Sequence, residues 1–291
     1  MTPERHDRGE RPLTRFAPSP TGPLHLGHAF AALTAAAQGT MLLRIEDIDR
    51  ARCRPAYEAM IREVLLGRGR VGPEPVMRLA ERGAAYDAAL ARLAAMGLIY
   101  PCRCTRGDIR AALAAPQEGT TPAVGPDGPV YPGTCRGRPM RDAGPGDALR
   151  LDMRRAVAML PGLAAGGIGF RDTGTRAGWH VLDPQTLIAG TGDVVLARPG
   201  LGTAYHLVVV VDDAAQGIGL VTRGEDLFDA TRIHRLLQAL LGLPVPVWHH
   251  HRLIRDPEGR RLAKRDDARA IRHYRDAGAG PAEIRAMVGW A

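Results

Sequence analysis

Aromatic residues are scarce in this 291-residue chain, which has four Phe, six Tyr and three Trp. So low a count argues against an extended platform for stacking single-stranded bases. Cysteine is scarce as well: Cys53, Cys102, Cys104 and Cys135 are unevenly spaced and do not read as the framework of a disulfide-stapled secreted domain. No apolar run approaches the length of a bilayer span, and Met1 to Pro12 is charged without an apolar h-region. Neither a membrane helix nor a secretory leader is therefore expected. The expectation is a soluble, cytoplasmic, monomeric globular protein with a frayed tail at residues 1–12. Its length allows one large domain or two modest ones, each with ample core. The charge imbalance is positive, +8 with a pI near 9.9. This favours a polyanionic partner, although arginine-rich composition also follows genomic bias.

Hydropathy patterning predicts an α/β fold. In Arg15-Phe16-Ala17-Pro18-Ser19-Pro20-Thr21-Gly22-Pro23-Leu24-His25-Leu26-Gly27-His28 an extended prolyl segment runs into an alanine-rich helix starting near Gly27 or His28 and stopped by Gly39. Met41 to Ile45 reads as a buried strand ending in Glu46-Asp47-Ile48-Asp49, where open α/β sheets keep their ligands. Two crossover helices follow. One starts at Pro55, buries Tyr57, Met60, Ile61, Val64 and Leu65 and ends at Gly67; the other carries Tyr86, Leu90 and Leu93 and ends at Gly97. From Cys102 the chain changes character, and Pro116 to Pro145 is rich in Gly, Pro and Thr. Order resumes at Asp193 to Leu196 and at Tyr205 to Asp213, a β-branched run expected to be a fully buried parallel strand. A helix through Ile233, Leu236, Leu237, Leu240 and Leu241 ends at Gly242, and a hairpin over Leu253 to Leu262 precedes Lys264. The expected domains are a two-part Rossmann-like body (13–100 and 188–243), an insertion (101–187) and a short helical C-terminal subdomain (244–291).

The first stretch has the makings of a phosphate site. A helix N-terminus offers unpaired N–H groups and partial positive charge, His25 and His28 sit on one side of its first turn, and Gly27 permits close approach. Cys102, Cys104 and Cys135 place three soft ligands within 34 residues of a loop-rich region, as structural zinc sites do; reduced thiols in a small core are the alternative. His249-His250-His251 alternate between the faces of a strand and do not converge on a metal, so a structural role is expected.

Taken together, the HxGH at His25 to His28 and the loop carrying Lys264 resemble the two signature motifs of class I aminoacyl-tRNA synthetases. The likeness is strongest to the glutamyl branch, through Arg15 to Gly22, Arg44 to Asp49, Tyr205 to Asp213 and Arg223-Gly224-Glu225-Asp226-Leu227. The resemblance implies ATP-dependent formation of glutamyl adenylate, with Mg2+ accompanying ATP. His25, His28 and Lys264 would be catalytic, and with Gly27 would hold ATP. Arg15, Phe16, Ala17, Pro18, Ser19, Glu46, Tyr205 and Arg223 would hold L-glutamate. Glu46 is a natural partner for the ammonium, the two arginines can clamp carboxylates and Tyr205 can donate a hydrogen bond; which arginine takes the side-chain carboxylate stays open. Taken singly, Glu46 could equally be a surface acid beside Arg44 or Arg50, and Tyr205 a core residue.

The resemblance also implies that Tyr131 completes a structural Zn2+ set with the three cysteines. Full-length glutamyl enzymes carry a helical anticodon-binding region after the lysine loop, for which little chain is left here, and an Asn four residues after the tyrosine, where Val209 stands. Both departures resemble the truncated group that transfers glutamate to the queuosine base of the tRNA(Asp) anticodon. Charging of the 3' end of tRNA(Glu), or a catalytically silent tRNA-binding module, are the alternatives. Arg136, Arg138, Arg141, Arg260 and Arg265 are candidates for phosphate contacts.

Overall fold

The structure, a computed structural model, describes residues 11–66, 76–114, 123–255, 259 and 270–290. The tail through residue 10, the side chains of Val64 and Leu65, the stop at Gly67, and Arg260, Lys264 and Arg265 lie outside the described residues. In chain order the first elements are β1 (Leu13–Phe16), α1 (Leu26–Gln38), β2 (Thr40–Ile45), α2 (Pro55–Leu66), β3 (Met77–Arg78), α3 (Gly83–Ala95), β4 (Ile99–Cys102) and α4 (Arg106–Ala114). Next come β5 (Val124–Gly125), β6 (Gly128–Pro129), β7 (Ala148–Leu151), α5 (Met153–Ala158), α6 (Pro161–Ala164), β8 (Gly169–Asp172), β9 (Gly178–Val181), β10 (Val195–Arg198) and β11 (Gly202–Thr203). The last are α7 (Tyr205–Ala215), β12 (Leu220–Gly224), α8 (Ala230–Leu241), β13 (Val247–His251), α9 (Ile271–Asp276) and α10 (Pro281–Met287).

The chain forms two compact units. The first comprises Met1–Arg78, Gly217–Glu225 and Pro246–Ala291. In it β1 pairs with β2, β2 with β3, and β12 with β13, all parallel. The Gly219 N–H donates to the Leu13 carbonyl at 3.0 Å, and the Arg15 guanidinium donates to the Thr222 carbonyl at 2.9 Å. These two contacts advance in the same sense along β1 and β12, so these strands run side by side and parallel. The resulting order, β3-β2-β1-β12-β13, reverses direction at β1, as doubly wound α/β sheets do at their ligand crevice.

Helix α1 returns the chain from β1 to β2. Gly39 lets it do so, because a Cβ there would collide with the Pro12 carbonyl that receives the Thr40 N–H at 2.9 Å. Phe16, Leu43 and Ile45 from the strands, Phe30 from α1 and Ile61 from α2 form one core with Ile271, Ile284 and Val288 of the C-terminal helices. Burying such side chains is the main drive for this unit to close.

The second unit comprises Leu79–Gln216 and Asp226–Val245. Its antiparallel sheet runs β11-β10-β7-β4, and β5-β6 and β8-β9 are antiparallel hairpins. Here the structure corrects one expectation: Tyr205 to Asp213 is not a strand but most of helix α7. A short apolar run does not separate a buried strand from a buried helix, and four consecutive valines bias the reading toward strand. Burial on nearly every side removes the periodicity that would have marked a helix, as His206 through Val210, Asp212 and Asp213 are all buried. What fixes the helix is Asp212. Its side chain is fully buried and accepts from the Arg82 Nε at 2.7 Å and the Tyr86 hydroxyl at 2.6 Å, both from the start of the α3 region.

Removing a buried carboxylate in this position leaves a cation and a hydroxyl without their acceptor. Asp212→Ala is therefore expected to destabilise the protein by about 3 kcal/mol, near the low end for broken buried pairs because Arg82 keeps some solvent contact. A urea midpoint within error of the parent would contradict this account of α7.

Candidate active site

The first unit gathers the opening motif at the carboxyl ends of its parallel strands. Arg15 and Phe16 end β1, and Ala17, Pro18 and Ser19 form the loop that leaves it. Glu46 follows β2 directly, and its N–H donates to the Pro18 carbonyl at 3.2 Å, which ties the two loops together. Arg223 lies near the end of β12, next to the Thr222 whose carbonyl receives Arg15. Arg15 and Arg223 are both buried. The arginines thus enter from adjacent strands, and Glu46 comes from the strand on the far side of β1.

At the same end of the sheet α1 begins. His25 is its N-cap: its Nδ1 accepts from the Gly27 N–H at 3.1 Å, while His28 Nδ1 accepts from the His25 N–H at 3.2 Å. The two side chains thus satisfy backbone donors reciprocally, as Ser and Glu do in the usual capping box. The rings pack with centroids 3.9 Å apart. Nδ1 of each ring is thereby used as an acceptor, which in a neutral imidazole leaves the proton on Nε2. Gly27 packs against His25, whose ring a Cβ at position 27 would meet at 3.0 Å. This arrangement can receive a phosphate at the helix start and carboxylates at the arginines.

One partner was not anticipated in the sequence. His250 on β13 stands in register with Arg223, and its Nε2 accepts from the Arg223 Nε at 3.2 Å. The signal was present in the run of three histidines, but only strand pairing reveals which one faces the arginine. Tyr205 belongs to the second unit, at the first turn of α7, where it is 36% exposed and its ring lies 5.9 and 5.8 Å from those of His206 and His234.

The second unit also brings together the cysteines. The Sγ atoms of Cys102, Cys104 and Cys135 lie within 4.8 Å of one another. The Tyr131 hydroxyl sits among them, 3.4 Å from Cys102 Sγ and 3.3 Å from Cys104 Sγ, and accepts from the Cys135 N–H at 2.8 Å. Cys53, in the first unit, is not part of this group. Burial pushes the Cys104 thiol up to about 11, against a hydrogen bond with Tyr131. Burial acts on Cys135 as well, but hydrogen bonds from Tyr131 and the Arg103 backbone outweigh it and bring that thiol down to about 7. Burial, then the contacts with Cys102 and Cys104, hold the proton on Tyr131. Three thiols and a phenol oxygen converging from the end of β4 and from the segments after β4 and β6 fit a four-coordinate, thiolate-rich metal centre.

Residues 13–124 and 185–290 match the family described as tRNA synthetases class I (E and Q), catalytic domain. A Glutamyl-Q tRNA(Asp) synthetase from Rhodobacter capsulatus is 57% identical over 285 residues, covering 95% of this chain and 99% of that protein. One of the same name from Leptothrix cholodnii is 44% identical, covering 87% of this chain and 82% of that protein. Among solved structures, the glutamate-tRNA synthetase of Elizabethkingia anophelis superposes with a TM-score of 0.66 at 29% identity. That alignment covers 88% of this chain but 53% of the other, so the chain spans about half the length of that enzyme.

Because the Cys104 thiol must lose a firmly held proton before it can ligate, the cluster's affinity for a thiophilic divalent ion such as added Zn2+ is expected to rise as pH increases from about 7 to 9. Competition against a chromophoric chelator measures this directly. A flat profile would mean that Cys104 is not a ligand.

Proposed function

This chain belongs to the class I tRNA synthetase (E and Q) catalytic-domain family and is a ligase of the aminoacyl-tRNA synthetase type; from that premise we propose that it activates L-glutamate with ATP, without tRNA, and transfers the glutamate to the queuosine base in the anticodon of tRNA(Asp). The observation that carries the reading is the meeting of Arg15, Arg223, Glu46 and the His25–His28 cap at one end of the parallel sheet. The names of the relatives supply the amino acid and the acceptor.

Glutamate's α-carboxylate attacks the α-phosphate of ATP in line, which forms the mixed anhydride and releases pyrophosphate. The protein's task is to align the reactants and neutralise charge. Glu46 receives the ammonium, and the two arginines divide the carboxylates. The Nε2–H groups of His25 and His28, with the α1 N-terminus behind them, face the triphosphate, and Mg2+ accompanies it. Lys264, the chain's only lysine, neutralises the departing pyrophosphate. A hydroxyl of the queuosine cyclopentenediol then attacks the acyl carbon, forming an ester and releasing AMP. Cys102, Cys104, Tyr131 and Cys135 would hold a structural Zn2+, which would add a four-coordinate cross-link between the loops that present them. Among the described residues no helix is long and apolar enough to cross a membrane, and the work is assigned to the cytoplasm, where tRNA is modified.

The direct test is glutamate-dependent ATP-pyrophosphate exchange without RNA, which should proceed with folded, zinc-loaded protein. No exchange would reject adenylate formation. Transfer should require queuosine-containing tRNA(Asp); equal transfer to tRNA(Asp) lacking the base, or charging of tRNA(Glu), would reject the acceptor. Lys264→Ala should slow exchange by roughly 100-fold, the scale of losing one charge-stabilising group, with little effect on glutamate binding. An unchanged rate would remove Lys264 from the mechanism.

A further inference from the structure

The β8–β9 hairpin of the second unit carries features that adenylate formation leaves unused. Cross-strand pairing sets Phe170 opposite His180 and Arg171 opposite Trp179. Strand alternation then divides the hairpin into two faces. On the inner face Phe170 and His180 stack at 5.1 Å, and both pack on Phe228 at 5.6 and 4.9 Å. His180 Nε2 pairs with the Arg176 carbonyl at 2.7 Å, which fixes the connecting loop.

The outer face is open. Trp179 is 57% exposed and Val181 49%, and Arg171 is exposed beside the indole. The ring is not a loose surface side chain: it lies against Gly169, where an added Cβ would come within 2.8 Å of its Cε2 and Cζ2 atoms. Gly169 in turn is held from behind, since its carbonyl accepts from the Arg235 Nε at 2.8 Å. One face of the indole is thus backed by glycine while the other meets solvent.

Charge around it is positive. Between Gly169 and Val181 there are two arginines, Arg171 and Arg176, and one acid. That acid, Asp172, is buried and receives the Gly174 N–H at 2.7 Å. Asp183, just beyond β9, is exposed but engaged by the N–H and hydroxyl of Thr186 at 2.7 and 2.6 Å. Arg176 lies over the Phe228 ring at 4.4 Å, on the inner side, which leaves Arg171 as the cation of the outer face.

We propose that this face binds single-stranded RNA, with one unpaired base stacked on Trp179 and an adjoining phosphate met by Arg171. A flat, backed indole flanked by a guanidinium group matches a splayed-out base and its backbone, whereas a protein partner would find little apolar area beyond Trp179 and Val181. It is a single stacking position, in keeping with the few aromatics of the chain. The proposal rests on the reading that a tRNA loop is the acceptor, and assigns it a docking surface.

The test measures binding of fluorescein-labelled, queuosine-containing tRNA(Asp) by anisotropy at several salt concentrations. Glutamate-dependent exchange without RNA is followed in parallel on the full-length protein and on Trp179→Ala, Trp179→Phe and Arg171→Ala. Exchange should be unchanged in all three variants. Trp179→Ala should weaken RNA binding roughly ten-fold and Trp179→Phe much less, as a stacking contact requires. Arg171→Ala should reduce the slope of log K against log salt by about one. Parental affinity and slope in variants with normal exchange would overturn the surface and leave the adenylate reading standing. Absence of exchange in the parent would overturn that reading, while the binding arm still decides the surface. Self-association abolished by Trp179→Ala with RNA affinity intact would overturn it in favour of a contact between copies.

Discussion

The hydrogen bond from the Arg15 guanidinium to the Thr222 carbonyl joins parts of the chain separated by 207 positions, and the arrangement of the first unit depends on it. With the main-chain bond from Gly219 to Leu13 it sets β12 beside β1, so that a motif read near residue 15 and another near residue 223 share one end of the sheet. A buried guanidinium without an acceptor would be costly, so the bond also selects this strand order over its alternatives. Arg223 is oriented by a different device. Its Nε donates to Nε2 of His250, so that ring nitrogen acts as the acceptor. One arginine is steered by a main-chain carbonyl and the other by a ring nitrogen.

Much of this was legible in the sequence, for identifiable reasons. Gly39, the alanine-rich α1 and the apolar β2 carry strong local signals, and the structure has them at Leu26–Gln38 and Thr40–Ile45. The cysteine pattern was legible as a cluster because a metal site and a small thiol core both require the three side chains to meet, and the three sulfurs do converge. Helix α7 was misread because its controlling interaction, Asp212 with Arg82 and Tyr86, is tertiary and leaves no periodic trace. His250 was passed over for a related reason: alternation along a strand argues against a shared metal but says nothing about what stands opposite in the next strand.

Charge counting needs the same correction. Of 39 basic residues, 38 are arginine and one is Lys264, a bias visible in the sequence that singles out the lone ammonium. Several arginines that looked available for phosphates are committed inside the fold. Arg136 pairs with buried Asp193 at 2.8 Å, and Arg138 grips Asp147 through two hydrogen bonds of 3.0 Å. Arginine's fork geometry suits such stapling, so a net charge of +8 overstates the cationic surface on offer.

Asp193 connects these themes. Its carboxylate takes the Tyr100 hydroxyl at 2.5 Å, Arg136 at 2.8 Å and the Met153 N–H at 2.9 Å, while its carbonyl takes Arg150, whose guanidinium lies 3.9 Å from the centre of the Tyr131 ring. Arg136 adjoins Cys135, and Tyr100 lies two residues before Cys102. The loops that present the thiols are consequently moored to one interior anion by direct bonds. Small zinc modules commonly owe their fold to the ion that gathers their ligands. Here the scaffold has its own keystone, so a metal arriving late would meet a preformed nest and have little chain left to organise.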